Sequence, residues 1–353
     1  MNSPESDRLR SSPGDAAYDV FLAGPVFMDI IFSGMDHAPV LGTETWASAM
    51  GSCPGGVANM AVALSRLGLS TSLATAFGDD SYGDFCRESL ELAEGIDISR
   101  SVRMTGRHTP LTISLAYEGD RTMVSHGHIN EHPGIGEDIP MSRSVFTSLE
   151  LDRGVPWLDH AKNAGARIVV NCGWDASGAW ELDRLVDLHL ADVFVANEIE
   201  ALSWTRTSDA ATAACVLADR VGLAVVTRGQ AGAVAADRAT GDLIEVPGMP
   251  VKVVDPTGAG DVFVAGLMAG LARDRSIRES LSLGSVAAAL SVQQLGGSFS
   301  APIPEEITAW YSDNPARGAS DFESSYGFLD GFFPRSEHPR RPRRAIPTLG
   351  FRP

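Results

Sequence analysis

The spacing of hydrophobic residues predicts short buried strands that alternate with helical segments over the second half of the chain. Apolar, β-branched runs at 167–170, 192–196 and 223–227 have the length and composition of strands that are covered on both faces. Helical patterns are predicted at 180–189 and from Asn197 onward. Strands that alternate with helices favour a parallel α/β sheet with helices packed on it.

The first half of the chain has a second kind of pattern. The run 20–24 predicts another buried strand, and an Ala- and Leu-rich helical stretch ends at Gly68. Segments 27–50 and 109–124 are more strand-like than helical. A length of 353 residues suits one large domain with additions, or two domains. We therefore expect an α/β core that carries a small amount of additional β-structure.

The segment 253–261 has the sequence VVDPTGAGD and leads directly into an apolar, Ala- and Gly-rich run. It predicts a buried strand before Asp255, a Pro-Thr turn, and a helix that begins at the small residues 258–260. The free N–H groups of a helix start, together with the helix dipole, favour a phosphoryl group that gains charge during transfer. Asp261 is placed to accept a proton from a hydroxyl. An acid in a first helical turn also serves as a plain dipole partner, and the residues alone leave both roles open.

A pair of glycines precedes a helix in the segment 54–61, which reads PGGVANMA. Gly55 and Gly56 allow the backbone to approach a ligand closely, and the amide of Asn59 offers a donor and an acceptor to the hydroxyls of a polyol. A plain turn and helix cap is the alternative. Asp29 follows the first strand in a loop, where a carboxylate can accept two hydrogen bonds from neighbouring hydroxyls.

Asn197 and Glu200 open the helix that follows the strand at 192–196. Their spacing places both side chains on one face of the first turn, which suits a hydrated magnesium ion near nucleotide phosphates. An N-cap followed by an acid explains the same spacing without a metal. Further along, residues 223–232 form a strand that ends in a glycine-punctuated turn.

Composition narrows the classes of function. The formal net charge is −17, and lysine occurs only at Lys162 and Lys252, which disfavours nucleic acid as a partner because its binding depends on clustered cations. No apolar run approaches the roughly 20 residues of a membrane-spanning helix. The four cysteines are widely spaced and form no metal motif. We expect a cytoplasmic, reduced protein that contacts neither nucleic acid nor membrane.

In these segments the chain resembles the PfkB carbohydrate kinase family, the ribokinase-like sugar and nucleoside kinases. The resemblance extends over about residues 18–312 and includes GDDSYG at 78–83. It implies a ribokinase-like, three-layer α/β/α fold with a central, mostly parallel sheet. Segments about 27–50 and 109–124 would form a small β-lid, through which family members often make a homodimer. One departure is that a residue is missing between the glycine pair and Asn59.

The resemblance also implies roles for individual residues. Asp261 would be the catalytic base, and the backbone N–H groups of Gly258, Ala259 and Gly260 would form the anion hole for the γ-phosphate of ATP. The acceptor would be bound by Asp29, Gly55, Gly56 and Asn59. Magnesium would be held, through water, by Asn197 and Glu200, and a monovalent cation such as K⁺ by Asp255 and Thr257. The other predicted ATP contacts are Thr227, Arg228, Gly229 and Gly232.

The predicted activity is ATP-dependent phosphorylation of a hydroxyl of a small sugar or polyol, as in ribokinases and fructokinases. Many phosphosugar kinases of the family carry a lysine directly after the glycine pair, where this chain has Val57, so we expect an uncharged acceptor. One alternative is a nucleoside kinase, with Phe27, Met28 or Trp46 as a platform for the base. An alternative from another class is a catalytically silent ligand-binding protein.

Three segments lie outside the usual family pattern. Residues 1–17 are polar and are predicted to be disordered. Residues 313–353 form an extension rich in proline and arginine, of which the part at 326–334 is predicted to dock because it is aromatic. The loop with His126, His128 and His132 is either a metal site or a surface loop near the acceptor, and there His126, His128 or Asn130 would contact the acceptor.

Overall fold

The computed structural model describes residues 16–118, 120–127, 135 and 138–333. These residues form two compact units. The described part of the first unit lies within Met1–Ala23, Gly134–Met249 and Leu267–Ser285. That of the second lies within Gly24–Pro133, Pro250–Gly266 and Val286–Pro353.

The strands follow one another in chain order as β1 (Tyr18–Ala23), β2 (Val26–Ser33), β3 (Ala49–Gly56), β4 (Thr71–Ala74), β5 (Ala76–Gly78), β6 (Val102–Met104), β7 (Leu111–Tyr117), β8 (Asp120–His126), β9 (Ser142–Leu149), β10 (Arg167–Cys172), β11 (Val193–Asn197), β12 (Leu223–Thr227), β13 (Ala233–Asp237) and β14 (Leu243–Val246). The α-helices are α1 (Val57–Arg66), α2 (Ser81–Glu88), α3 (Leu158–Asn163), α4 (Glu198–Thr205), α5 (Ala210–Ala218), α6 (Ala259–Leu271), α7 (Ile277–Ser291), α8 (Pro304–Asp313) and α9 (Ser320–Tyr326).

The first unit is built on a mostly parallel sheet. Strands β1, β9, β10, β11 and β12 pair with their neighbours in parallel, and β13 and β14 are added in antiparallel orientation. Strands β10 to β13 are buried along nearly their whole length, because helices such as α3 and α5 pack on the sheet. This confirms the predicted α/β class, the mostly parallel sheet and the strands near 167–170, 192–196 and 223–227.

The helix predicted at 180–189 is wrong. The structure has only two single 3₁₀ turns there, Leu182–Arg184 and Leu188–Leu190. Trp180 has a left-handed backbone with a φ of 49°, and its N–H donates to the carboxylate of Asp175 at 2.8 Å. A bulky residue in that conformation cannot begin a right-handed helix, so the chain continues as a loop.

The second unit contains a four-stranded sheet in the order β3-β2-β7-β8. Strands β2 and β7 are parallel, and the other two pairs are antiparallel. These strands occupy most of the predicted segment 109–124 and the two ends of the predicted segment 27–50, whose middle, residues 34–48, is a loop. The paired glycines occupy the end of β3, and α1 begins directly after them.

One face of this sheet packs on the segment that leads into α6. Ser33 donates to the carbonyl of Val254 at 2.9 Å, and the hydroxyls of Ser114 and Thr257 are 3.2 Å apart. The predicted strand before Asp255 is wrong, because the N–H groups of Val254 and Asp255 both donate to the carbonyl of Val292, beyond the end of α7, rather than to a strand.

A buried ion pair fastens the end of α1. Arg66 donates two hydrogen bonds to Glu94, at 3.0 and 2.7 Å, and two more to the carbonyls of Phe299 and Ala301, at 3.0 and 2.6 Å. The arginine is only 2% exposed, so its charge is compensated entirely inside the protein. The segment near residue 299 is thereby fixed.

Part of the chain beyond α8 is packed. The side chains of Tyr326, Leu329 and Phe332 are buried, in agreement with the expected docking of this region. Residues 334–353, like residues 1–15, lie outside the described part of the chain. Among the helices that the structure describes, none combines the length and the hydrophobicity that a membrane span requires.

Candidate active site

Helix α6 begins at the sequence that carries the proposed anion hole. Gly258 has a φ of 77°, a backbone conformation that glycine adopts without strain. The N–H of Ala259 donates to the carbonyl of Pro256 at 3.2 Å, whereas the N–H groups of Gly258 and Gly260 have no acceptor among the described residues. A side chain at residue 260 would meet open space. The start of α6 therefore offers free donors next to a space that a ligand can enter.

Asp261 lies in the first turn of α6. Its Oδ2 accepts a hydrogen bond of 2.9 Å from the Nδ2 amide of Asn59, which is buried in α1. Burial raises the pKa of Asp261 to about 6, while the bond from Asn59 and the positive charge of Arg121 act in the opposite direction. A carboxylate with this pKa is ionised near neutrality and is a stronger base than an exposed aspartate.

Asp29 is the second acid of the site and is 5% exposed on β2. Burial and the negative charges of Asp261 and Asp255 raise its pKa to about 8, against the opposing effects of Arg121 and of a hydrogen bond with Thr112. The charge of Asp261 therefore makes the buried carboxyl of Asp29 harder to ionise. Asp29 was predicted to lie in a loop, whereas the structure places it within a strand.

The paired glycines make room for this arrangement. A Cβ atom on Gly55 would lie 1.8 Å from Oδ2 of Asp29, so only glycine fits beside that carboxylate. Gly56 has a φ of 63°, and a Cβ there would lie 2.4 Å from the carbonyl oxygen of Pro25. The two glycines thus shape the pocket wall around Asp29, a role that requires no contact with a ligand.

Asp255 joins two backbone segments. Its Oδ1 accepts from the N–H of Thr257 at 2.9 Å, and its Oδ2 accepts from Gly296 and Gly297 at 3.1 and 3.4 Å. The side chain is 1% exposed and has no ion-pair partner among the described residues. A buried carboxylate without a counter-charge has the chemistry of a cation ligand.

Arg121 belongs to the site although its sequence context did not predict this. It lies opposite Ala116 in the β7–β8 pair, and this register places it on the same face as Thr112 and Ser114, which is also the face of Asp29. Its Nε is buried and has no hydrogen-bond partner among the described residues. Arg121 thus supplies positive charge to a site with three carboxylates. No signal in the sequence marks it, because the contact depends on strand register.

A second set of predicted residues lies in the first unit, at the carboxyl ends of β11 and β12. Asn197 and Thr227 are paired across these strands. The N–H of Glu200 donates to Oδ1 of Asn197 at 2.9 Å, and the N–H of Asn197 donates to Oε2 of Glu200 at 3.1 Å. This capping box is the metal-free explanation of the motif. Oε1 of Glu200 has no hydrogen-bond partner in the part of the chain that the structure describes, and burial raises the pKa of that carboxyl.

The turn after β12 holds the remaining predicted nucleotide contacts. Gly229 has a φ of 53° and open space around it, whereas a Cβ on Gly232 would lie 2.1 Å from the carbonyl of Val246. Arg228 donates to the carbonyl of Ala231 at 3.2 Å and lies 3.6 Å from Glu245. Its guanidinium is therefore already engaged within the protein, and Gly232 is required for packing.

Comparison with known proteins identifies the family. Residues 42–304 match the model of the pfkB family of carbohydrate kinases. This chain is a PfkB-family protein. It is 30% identical to a fructokinase of Klebsiella pneumoniae over 72% of this chain and 91% of that protein. It is 28% identical to a nucleoside kinase of Methanothermobacter thermautotrophicus over 80% of this chain and 92% of that protein.

Solved structures give the same fold. The structure of Arabidopsis thaliana ribokinase complexed with ribose and ATP superimposes with a TM-score of 0.68 at 22% identity, covering 82% of this chain and 97% of that one. The ribokinase-like fold and the membership of the kinase family, both expected from the motifs, are confirmed.

The side chains predicted to contact a nucleoside base or the acceptor differ in exposure in this PfkB-family protein. Met28 is fully buried and offers no platform for a base, whereas Phe27 is half-buried and Trp46 is 80% exposed. His126 stacks on His108 with ring centroids 4.9 Å apart. His128, Asn130 and His132 lie outside the described residues. Within the described ranges, no group of three His, Cys, Asp or Glu side chains is arranged to hold a metal ion.

Proposed function

We propose that this protein transfers the γ-phosphoryl group of ATP to a hydroxyl of a small, uncharged sugar or polyol, as the family's fructokinases and ribokinases do. The observation that carries this proposal is the start of α6. There a half-buried carboxylate with a raised pKa, Asp261, lies next to the N–H of Gly260, which has no acceptor among the described residues. A base beside an anion cradle is what phosphoryl transfer to an alcohol requires.

Asp261 acts as the general base. In its ionised form it accepts the proton of the acceptor hydroxyl. The resulting oxygen forms a bond to the γ-phosphorus while the bond from that phosphorus to the β–γ bridging oxygen breaks, and ADP leaves. The N–H groups of Gly258 and Gly260, which have no acceptor among the described residues, stabilise the charge on the transferring phosphoryl group, and that of Ala259 joins them once it leaves the carbonyl of Pro256. Asp29 receives hydrogen bonds from other hydroxyls of the acceptor. An uncharged acceptor suits this site, because the positive charge of Arg121 is already opposed by the carboxylates of Asp29 and Asp261.

The other proposed nucleotide contacts belong to the first unit. Asn197, Glu200, Thr227 and Gly229 lie at or just beyond the carboxyl ends of parallel strands, where α/β proteins bind ligands. Magnesium, when bound, neutralises phosphate charge. Glu200 fits this role because its Oε1 is free to hold a water of the ion. Arg228 and Gly232 complete the turn that would support the nucleotide.

Asp255 and Thr257 fit a monovalent cation such as K⁺. The carboxylate of Asp255 is buried without an ionic partner among the described residues, and its backbone N–H contacts leave lone pairs unused. Bound there, the ion would offset the negative charge below the start of α6 and so help the anion hole to accept phosphate.

The deciding experiment measures acceptor-dependent ADP release from MgATP across hexoses, pentoses, sugar acids and nucleosides. Asp261→Asn should abolish the signal, and the exposed Asp159→Asn should leave it unchanged. Release with a neutral sugar supports the proposal. Ligand-induced thermal shifts without any ADP would instead indicate a catalytically silent binding protein, and they would overturn the kinase assignment.

A nucleoside kinase is the second candidate. Phe27 is half-buried on the same face of β2 as Asp29, and Trp46 is exposed, so an aromatic surface is available for a base. The relatives include a nucleoside kinase as well as fructokinases. Release of ADP with nucleosides alone, lost in Phe27→Ala, would favour this candidate over a sugar kinase.

We also propose that the protein is cytoplasmic and forms a homodimer through the lid. Strand β8 is at the edge of its sheet, and Met123 and Val124 are 53% and 66% exposed there. An open edge strand with apolar side chains is suited to pairing with a second copy. Light scattering of the purified protein tests this, with Val124→Lys expected to give monomers. The four free cysteines suit a reducing compartment.

A further inference from the structure

Asn59 makes a contact that its predicted role does not explain. As a ligand of the acceptor, its amide would be open toward the pocket. Instead, Nδ2 donates to Oδ2 of Asp261 at 2.9 Å. The shortened loop before α1 accompanies this geometry, since α1 begins directly after Gly56 and places Asn59 in its first turn.

The orientation of the amide is fixed by chemistry. An ionised carboxylate only accepts hydrogen bonds, so the nitrogen of the amide must face Asp261. The oxygen, Oδ1, then points away from the base. It is buried and has no hydrogen-bond partner among the described residues. Buried acceptors are nearly always satisfied, so an unpaired one at this place indicates a donor that arrives with a ligand.

Two glycines hold the side chain in place. A Cβ on Gly258 would lie 3.0 Å from Cγ of Asn59, and one on Gly297 would lie 3.5 Å from Oδ1. Both glycines have positive φ values, 77° and 46°. The amide is therefore packed between the start of α6 and the segment that Asp255 fixes, and it has little freedom to turn.

We propose that Asn59 is a positioning residue for the base and couples acceptor binding to it. Its Nδ2 holds one oxygen of Asp261, so that the other oxygen is left to face the reacting hydroxyl. Its Oδ1 accepts a hydrogen bond from a neighbouring hydroxyl of the same acceptor. The proposal rests on the proposed phosphotransfer and narrows it, since such an acceptor must carry two adjacent hydroxyls.

The groups around Asp261 define what a variant should change. Asn59 approaches Asp261 from α1 and Arg121 from β8, while Asp29, on β2, is itself affected by the charges of Asp261 and of Asp255 in the loop before α6. Asn59 is uncharged and donates a hydrogen bond directly to the carboxylate of Asp261. Its removal should therefore make Asp261 harder to ionise, which a residue that only binds the acceptor would not do.

The first test needs no turnover. Carboxyl ¹³C NMR of aspartate-labelled protein, with the Asp261 signal assigned by its loss in Asp261→Asn, gives the pKa of the base in the wild type and in Asn59→Ala. We expect the midpoint of Asp261 to rise in Asn59→Ala and to rise further in the isosteric Asn59→Asp. An unchanged midpoint in both variants, with native thermal unfolding, would overturn the positioning role even if the protein is a kinase.

The second test uses D-ribose and D-fructose as acceptors. In Asn59→Ala, kcat/KM at pH 6 should fall about tenfold, and the acidic limb of the plot of kcat/KM against pH should move to higher pH. The KM for the acceptor should rise, while the KM for ATP should not. A shifted limb with an unchanged acceptor KM would overturn the coupling through Oδ1. Absence of turnover in the wild type with every acceptor would count against the proposed function, whereas the NMR result would still decide the role of Asn59.

Discussion

Gly55→Ala should damage acceptor binding while leaving the fold intact. Residue 55 has a φ that alanine can adopt, so the backbone imposes no penalty. The added Cβ, however, would lie 1.8, 2.1 and 2.4 Å from Oδ2, Cγ and Oδ1 of Asp29. Since carbon atoms tolerate no contact below 3.0 Å, Oδ2 must move by at least 1.2 Å (3.0 − 1.8).

The size of the effect follows from that displacement. A hydrogen-bonding group that moves by about 1 Å in an active site costs roughly 100-fold in rate. We therefore expect kcat/KM for the acceptor to fall by about 100-fold, and KM for ATP to stay within about twofold of its wild-type value. Stability should fall by about 1–3 kcal/mol, the usual cost of an extra methyl group in a packed site, because the clash is with the short, buried side chain of Asp29.

The assay is steady-state ADP release with the acceptor varied at saturating MgATP. Gly154→Ala is the matched control, since its Cβ would lie an ordinary 3.4 Å from a carboxylate oxygen of Asp187. The double variant Asp29→Ala/Gly55→Ala should be no worse than Asp29→Ala alone, because both changes remove the same contact. A Gly55→Ala enzyme within about threefold of the wild type would refute the assigned role of Asp29.

Three further outcomes are expected. Arg66→Met leaves Glu94 charged and buried, so urea unfolding should show a loss of about 3–5 kcal/mol in the free energy of unfolding, partly recovered in Arg66→Met/Glu94→Gln. A loss below about 1 kcal/mol would show that the Arg66–Glu94 pair does not stabilise the fold. Asp29 has a raised pKa, so its contribution to stability is present at low pH and is lost as pH rises through about 8. Asp29→Asn should therefore raise the free energy of unfolding by at least about 2 kcal/mol at pH 9 and change it little at pH 4. Equal effects at the two pH values would be inconsistent with a buried charge on Asp29. Arg121→Met removes a positive charge near Asp261 and should move the acidic limb of kcat/KM to higher pH, whereas a limb that stays at about pH 6 would show that Arg121 does not act on the base.

The parts of the site that the sequence predicts are those that depend on local chain geometry. The small residues at 258–260 and Asp261 occupy one helix start, and Asn197 and Glu200 occupy another. In each case the spacing along the chain nearly determines the spacing in space, because a helical turn places residues three apart on one face. The same reasoning applies to β10, β11 and β12, whose apolar runs require burial on both faces.

The parts that sequence analysis missed depend on distant residues. Arg121 reaches the site only through the register of β8 on β7. The loop around Trp180 replaces a predicted helix because the Trp180 ring packs between those of Trp174 and Trp204, with centroids 4.9 and 5.0 Å away. Neither contact leaves a periodic trace in the sequence, so hydrophobic spacing alone favoured the wrong element.

The charges of the site oppose the stability of the fold, so neighbouring contacts must offset their cost. Asp29 and Asp261 both ionise less readily in the folded protein than in the unfolded chain, so above neutral pH they destabilise the fold. Folding can tolerate this only if neighbouring contacts hold the carboxylates where they are. The two hydrogen bonds from Arg66 to the carbonyls of Phe299 and Ala301, and the bonds of Asp255 to the loop at 296–297, supply such contacts without touching the reacting atoms. Stability and reactivity are therefore divided between different residues of the second unit, and mutations at the two sets should have separable effects.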